Sequence, residues 1–151
     1  MKLIVLLLLT LMFQEFTAFG QALRPEQMVQ SYLNIKDHKI YFETSGSGQS
    51  LILIHGGYLD HDIWNNQVTY LNNNGFKTII FDDLGHGNTR NGREELYGYE
   101  IIEQLRTHLK LGKISLVGLS WGAMLSVDYT LKYPQNVDKL VLISPGMNGW
   151  N

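Results

Sequence analysis

From residue 31 onward, short apolar runs alternate with longer stretches in which apolar residues recur every three or four positions. Tyr32, Leu33 and Ile35, then Ile40, Tyr41 and Phe42, flank a polar turn near Asp37 and His38, which predicts a β-hairpin over residues 31–44. Ser45, Gly46, Ser47 and Gly48 form a flexible connection into Leu51, Ile52, Leu53 and Ile54. An unbroken apolar run of this kind belongs to a strand buried on both faces. It ends at His55, Gly56 and Gly57. Ile63, Trp64, Val68 and Leu71 have helical spacing, Asp60 or Asp62 can accept from the unpaired N–H groups at that helix's start, and residues 72–75 close it. A strand over 76–81 comes next, then a helix within 94–111 carrying Ile101, Ile102, Leu105 and Leu109, and a strand over 114–117. The pattern finishes with a helix over 121–133, a break at Pro134 and a strand over 140–143. Strands alternating with helices require crossover connections, so the predicted class is α/β, a mainly parallel sheet with flanking helices.

The first twenty residues obey a different rule. Met1 and Lys2 precede the apolar stretch 3–13, interrupted only by Thr10, and the small residues Ala18 and Gly20 come after it. This is the form of a secretory signal, with cleavage expected after Gly20. The alternative is an uncleaved anchor, but a membrane span normally needs roughly 18 or more apolar residues. The expected organisation is a signal peptide over 1–20, a polar linker over 21–30 and one domain over 31–151, secreted or periplasmic and without a stable membrane span once the signal is removed. The chain has no cysteine, which excludes disulfides and thiol-linked lipid. A formal net charge of -2 gives no basic surface for nucleic acid, and 44% hydrophobic with 17% charged residues is the balance of a globular domain.

The chemistry centres on Gly118-Leu119-Ser120-Trp121-Gly122, a G-x-S-x-G between a predicted strand and a predicted helix. That context is what a nucleophile elbow requires, and it makes Ser120 the candidate catalytic residue. Glycines two residues to either side are needed because side chains there would strike the neighbouring strand and helix. Attack on a carbonyl also needs donors for the developing oxyanion. The N–H of Trp121 at the helix start is one candidate; the other lies in His55-Gly56-Gly57-Tyr58, with Gly57 first and Tyr58 next. His55 is expected to tie this loop to neighbouring backbone. The segment Asp82-Asp83-Leu84-Gly85-His86-Gly87 lacks the Lys and Ser/Thr of a phosphate loop and reads as a structural turn beside the site. His61 between Asp60 and Asp62 could suggest metal ligands, but adjacent residues at a helix start rarely converge on one ion, and no metal is expected.

The ordered set of hairpin, His55-Gly56-Gly57, Asp82-x-x-Gly85-His86-Gly87 and Gly118-x-Ser120-x-Gly122 resembles the first half of the α/β-hydrolase superfamily, over residues 31–146. Ser120 followed by Trp121, with the His-Gly-Gly loop, is similar to proline aminopeptidases and small carboxylesterases. The resemblance implies a serine nucleophile, no cofactor, and a small-molecule ester, amide or short peptide as substrate. It also implies a triad in the order serine, acid, histidine. Here the five histidines, His38, His55, His61, His86 and His108, all precede Ser120, and the last carboxylate is Asp138. The acid and the histidine are therefore expected beyond Asn151, in a fold truncated after its sixth strand. The last strand would then be an apolar edge, and residues 146–150 the beginning of a lid segment.

A serine without a base to take its proton is a poor nucleophile. The expectation is an exported serine hydrolase that is incomplete, and weakly active or inactive, as this chain. The alternative is a non-catalytic binding module derived from a hydrolase half-domain, and a third arrangement is complementation by a separately encoded C-terminal half.

Overall fold

The structure, a computed structural model, describes residues 28–145. The expected signal peptide and residues 146–151 lie outside the described residues. Among the described residues six strands form one sheet: β1 (Val29–Ile35), β2 (His38–Gly46), β3 (Gln49–Ile54), β4 (Phe76–Phe81), β5 (Ile114–Leu119) and β6 (Val137–Ile143), in the order β1-β2-β4-β3-β5-β6. The pairs β1/β2 and β2/β4 are antiparallel, whereas β3/β4, β3/β5 and β5/β6 are parallel. The helices α1 (Asn65–Asn73), α2 (Gly98–His108) and α3 (Trp121–Lys132) flank the sheet. This is the α/β architecture, mainly parallel with flanking helices, that the periodicity predicts.

Alternation along the central strands divides the core in two. Ile52, Ile54, Ile79 and Phe81 face a cluster completed by Ile101, Ile102 and Leu105 of α2 and Leu125 and Tyr129 of α3. Leu53 and Ile80, one residue out of phase, face Trp64 and Val68 on the α1 side. The unbroken apolar run of β3 has this cause, since successive side chains point to opposite, equally covered faces. Glu103 joins the outer layer: its carboxylate accepts from Arg106, from the Tyr129 hydroxyl at 2.7 Å and from Asn136 at 3.2 Å. The Arg106 hydrogen bonds outweigh burial and hold that carboxyl below its ordinary pKa.

Two local expectations shift. β1 begins at Val29, so Val29 and Gln30, expected in the linker, pair with Thr44 and Glu43; the Gln30 side chain also donates to Glu43 at 2.8 Å. The helix expected from Ile63 opens instead as a 3-10 turn, His61–Trp64, capped by Asp60, whose side chain accepts from the Asp62 N–H at 3.0 Å. The tighter turn changes the angular phase, leaving Ile63 exposed while Trp64 and Val68 are buried.

Two features hold the carboxyl end of the sheet. The first is a backbone crossing: a Cβ on Gly118 would lie 2.3 Å from the Gly122 carbonyl oxygen, and a Cβ on Gly122 2.3 Å from that of Ile54. The ends of β3 and β5 and the start of α3 therefore meet backbone to backbone. The second is a buried polar seam. Asp82, just after β4, accepts from the His61 N–H at 2.8 Å, from His61 Nδ1 at 2.9 Å and from the Asn88 N–H at 2.7 Å. His61 Nε2 is 3.5 Å from Glu43, which also accepts from the Tyr41 hydroxyl at 2.5 Å. Burial by itself would lower the His61 pKa and raise that of Asp82. The hydrogen bonds and opposite charge reverse both, so His61 titrates above its ordinary 6.5 and Asp82 below its ordinary 3.8.

Gly122→Ala should cost about 3 kcal/mol or more, because the added carbon meets backbone that cannot move aside. Gly75→Ala, where φ is +80° but nothing lies within 4 Å, should cost only about 1 kcal/mol. Urea unfolding of the two variants checks the contrast. The seam gives a pH signature. With a raised folded pKa, the His61 contribution is complete below 6.5 and fades as pH rises through the folded value. With a lowered one, the Asp82 contribution is present above 3.8 and is lost as pH falls through its folded value. The stability gap between the wild type and His61→Gln should therefore narrow above pH 6.5. Urea midpoints from about pH 4 to 9 measure it, and a gap constant with pH would contradict the assignment.

Candidate functional site

Ser120 makes the corner between β5 and α3 in a single residue, with φ 50° and ψ -107°. A left-handed φ is costly for a residue with a Cβ, and such strain persists only where surrounding structure over-determines it. Here the Ser120 N–H donates to the Ile143 carbonyl at 2.9 Å, so β6 holds one side. On the other, its carbonyl accepts from Ala123 at 3.0 Å and Met124 at 3.2 Å, which starts the helix. The crossing at Gly118 and Gly122 fixes both flanks, and Ser120 itself is exposed at the carboxyl edge of the sheet.

Trp121 is the first residue of α3, so its N–H has no acceptor within the helix and lies at the positive end of the helix dipole. Gly57 sits beside it: a Cβ built on Gly57 would be 3.9 Å from the Trp121 Cβ. The loop turns there, with the Leu59 N–H donating to the Gly56 carbonyl at 3.2 Å. Tyr58 occupies that turn with φ 63° and is fully exposed. Thus Ser120, Trp121 and Gly57 are gathered at one edge, while Tyr58 follows Gly57 with its side chain in solvent.

His55 is completely buried behind this loop. Its Nε2 accepts from the Asp83 N–H at 3.1 Å, so the proton must be on Nδ1, which donates to the Gly56 carbonyl at 2.7 Å. Burial lowers its pKa, and the neutral ring ties the loop to the end of β4. Each of the other histidines also has a partner other than Ser120. His38 bonds Gly92 and Glu94, His61 bonds Asp82, the His86 ring lies 4.8 Å from that of His55, and His108 stands edge-on to Phe42.

The sequence pattern presents Asp82 and Asp83 as parts of one turn, but the two carboxylates face different partners. Asp82 goes to His61, whereas Asp83, also buried, accepts from the Trp121 indole N–H at 2.9 Å. The usable signal is their adjacency after a strand, where consecutive side chains leave on opposite sides.

Residues 49–151 match the family model described as the alpha/beta hydrolase fold. A protein of Synechocystis sp. named as a non-heme chloroperoxidase is 37% identical over 111 residues, covering 70% of this chain and 40% of its own length. A proline iminopeptidase of Clostridioides difficile is 29% identical over 128 residues, covering 78% of this chain and 44% of its own. Among solved structures, an esterase from Exiguobacterium antarcticum superposes with a TM-score of 0.68 at 28% identity, covering 78% of this chain and 46% of that one. This chain spans less than half the length of each of these relatives. Through residues 49–151 it belongs to the α/β-hydrolase-fold family.

Proposed function

We propose that this chain carries the nucleophile half of an exported serine hydrolase acting on a small ester, amide or short peptide. The single observation that carries the reading is Ser120 at a left-handed strand-to-helix corner whose flanking glycines admit no side chain. Such a corner is a nucleophile elbow: it presents the hydroxyl at the open end of the sheet. Ser120 Oγ bonds to the substrate carbonyl carbon as its proton passes to a base. The carbonyl oxygen, now an anion, lies against the N–H of Trp121 and that of Gly57, with Tyr58 as the alternative second donor. Collapse of this intermediate releases the alcohol or amine, which takes up the proton, and water then hydrolyses the acyl-serine.

The base and its acid come from outside the described residues, in the C-terminal half that longer relatives possess. Relatives named esterase and proline iminopeptidase favour carbonyl chemistry, and the slight negative charge gives no support for nucleic acid. The N-terminal apolar segment supports export to a secreted or periplasmic site; among the described residues no helix is long and apolar enough to cross a membrane.

One observation favours a second reading, a binding module. Among the described residues β6 pairs only with β5, and it exposes Val141, Leu142 and Ile143. An apolar edge of this kind recruits a partner chain, which on the first reading is a complementing C-terminal half.

Fluorophosphonate labelling and nitrophenyl-ester turnover, on this chain alone and on the chain extended past residue 151, test the proposal. The extended form should turn over, and Ser120→Ala should lower its rate about 10³-fold or more. Equal rates with and without Ser120 would remove the nucleophile assignment. Specific partner binding by the short chain, unchanged in Ser120→Ala, would favour the module.

A further inference from the structure

We propose that Asp83 is a positioning residue that sets the spacing of the two oxyanion donors; this rests on the serine-hydrolase reading. Among the described residues Asp83 bonds to both sides of the donor pair. Its backbone N–H donates to His55 Nε2, and His55 Nδ1 in turn donates to the Gly56 carbonyl, which precedes Gly57. Its carboxylate accepts from the indole N–H of Trp121, the other donor residue, at 2.9 Å. Gly57 and Trp121 lie side by side, so the path Gly57, Gly56, His55, Asp83, Trp121 closes on itself.

The chemistry suits a clamp. Asp83 is only 5% exposed, and a hydrogen bond to a buried carboxylate is shorter and stronger than one between neutral groups. Trp121 is 42% exposed, so burial does not fix its ring; the bond to Asp83 does. Holding the ring holds the first turn of α3 and with it the direction of the Trp121 N–H. Donors for an oxyanion act through preorganisation, and a displacement of about 1 Å can cost on the order of 10²-fold in rate. Asp83 touches neither Ser120 nor the reacting carbonyl; it acts through Trp121 and His55.

The test uses Asp83→Leu, which removes the acceptor, Trp121→Phe, which removes the donor but keeps a ring, the double variant, and Asp83→Asn, which keeps an acceptor oxygen. Each is made in the extended chain, with Ser120→Ala as the reference. Asp83→Leu and Trp121→Phe should each lower kcat roughly 10- to 100-fold with KM within about threefold, because the loss falls on the transition state. The double variant should be no worse than either single one, since one bond is removed in all three. Asp83→Asn, whose amide oxygen accepts without the charge, should fall between wild type and Asp83→Leu. In the chain as it stands, the ¹⁵N-labelled indole resonance of Trp121 should move in Asp83→Leu and report that the domain is folded. An indole resonance indifferent to Asp83 overturns the clamp whatever the activity. Unchanged kcat in both single variants, where Ser120→Ala abolishes turnover, overturns this inference alone, and so does an Asp83→Asn as impaired as Asp83→Leu. Turnover indifferent to Ser120 brings down the hydrolase reading and this inference with it.

Discussion

Where α3 leaves the sheet, three backbones occupy a volume with no room for a side chain. The carbonyl of Ile54 ends β3, Gly118 lies near the end of β5, and Gly122 sits in the first turn of α3; an added carbon on either glycine would meet backbone oxygen at 2.3 Å. This close approach constrains the neighbouring residues in turn. The chain must change from strand to helix within Ser120, which forces a φ of 50°, and the helix must start beside the loop after β3. Gly57 and Trp121 become neighbours for the same reason. The candidate site is thus a consequence of backbone crowding and not an addition to a finished fold. Strain at Ser120 is offset by the bond to Ile143 and by the two helix-starting bonds to its carbonyl.

Beneath that corner, two histidines solve opposite electrostatic problems. His55 has only backbone partners on its two nitrogens, one donor and one acceptor, so the neutral ring satisfies both and burial favours that state. His61 lies among Asp82, Glu43 and Asp62, and there the charged ring is favoured despite burial. The first stiffens the loop carrying Gly57; the second fastens the 3-10 turn before α1 to Glu43 within β2 and to Asp82 just after β4.

The parts of this design set by period and composition were legible in the sequence. The unbroken apolar run of β3, the helical spacing in α2 and the glycines around Ser120 each have one physical cause, and each led to the strand, the helix or the strand-to-helix corner observed there. What escaped was geometry that depends on distant segments. Ile63 fits a helical stripe, yet the 3-10 turn capped by Asp60 rotates it outward. Val29 and Gln30 look like linker because their strand character comes from Thr44 and Glu43 across the hairpin. Asp82 and Asp83 look equivalent until β4 sends one toward His61 and the other toward Trp121. A buried carboxylate is specified by its partner, and the partners here lie 21 and 38 positions away.

The same two histidines constrain where a general base can come from. A base must offer a free ring nitrogen to the serine hydroxyl and accept its proton. His55 fails because Nε2 already accepts from Asp83 and Nδ1 already donates to Gly56. His61 fails for a different reason: its Nδ1 is committed to Asp82, and its neighbouring carboxylates favour a proton already in place. His38 fails as His55 does, because its Nδ1 accepts from the Gly92 N–H and its Nε2 donates to the Glu94 carbonyl. On the hydrolase reading, His55 stiffens the loop that carries Gly57, and proton transfer is left to another segment. Binding and oxyanion stabilisation can exist without that segment, whereas rapid turnover cannot, because a hydroxyl near neutral pH does not ionise without a base.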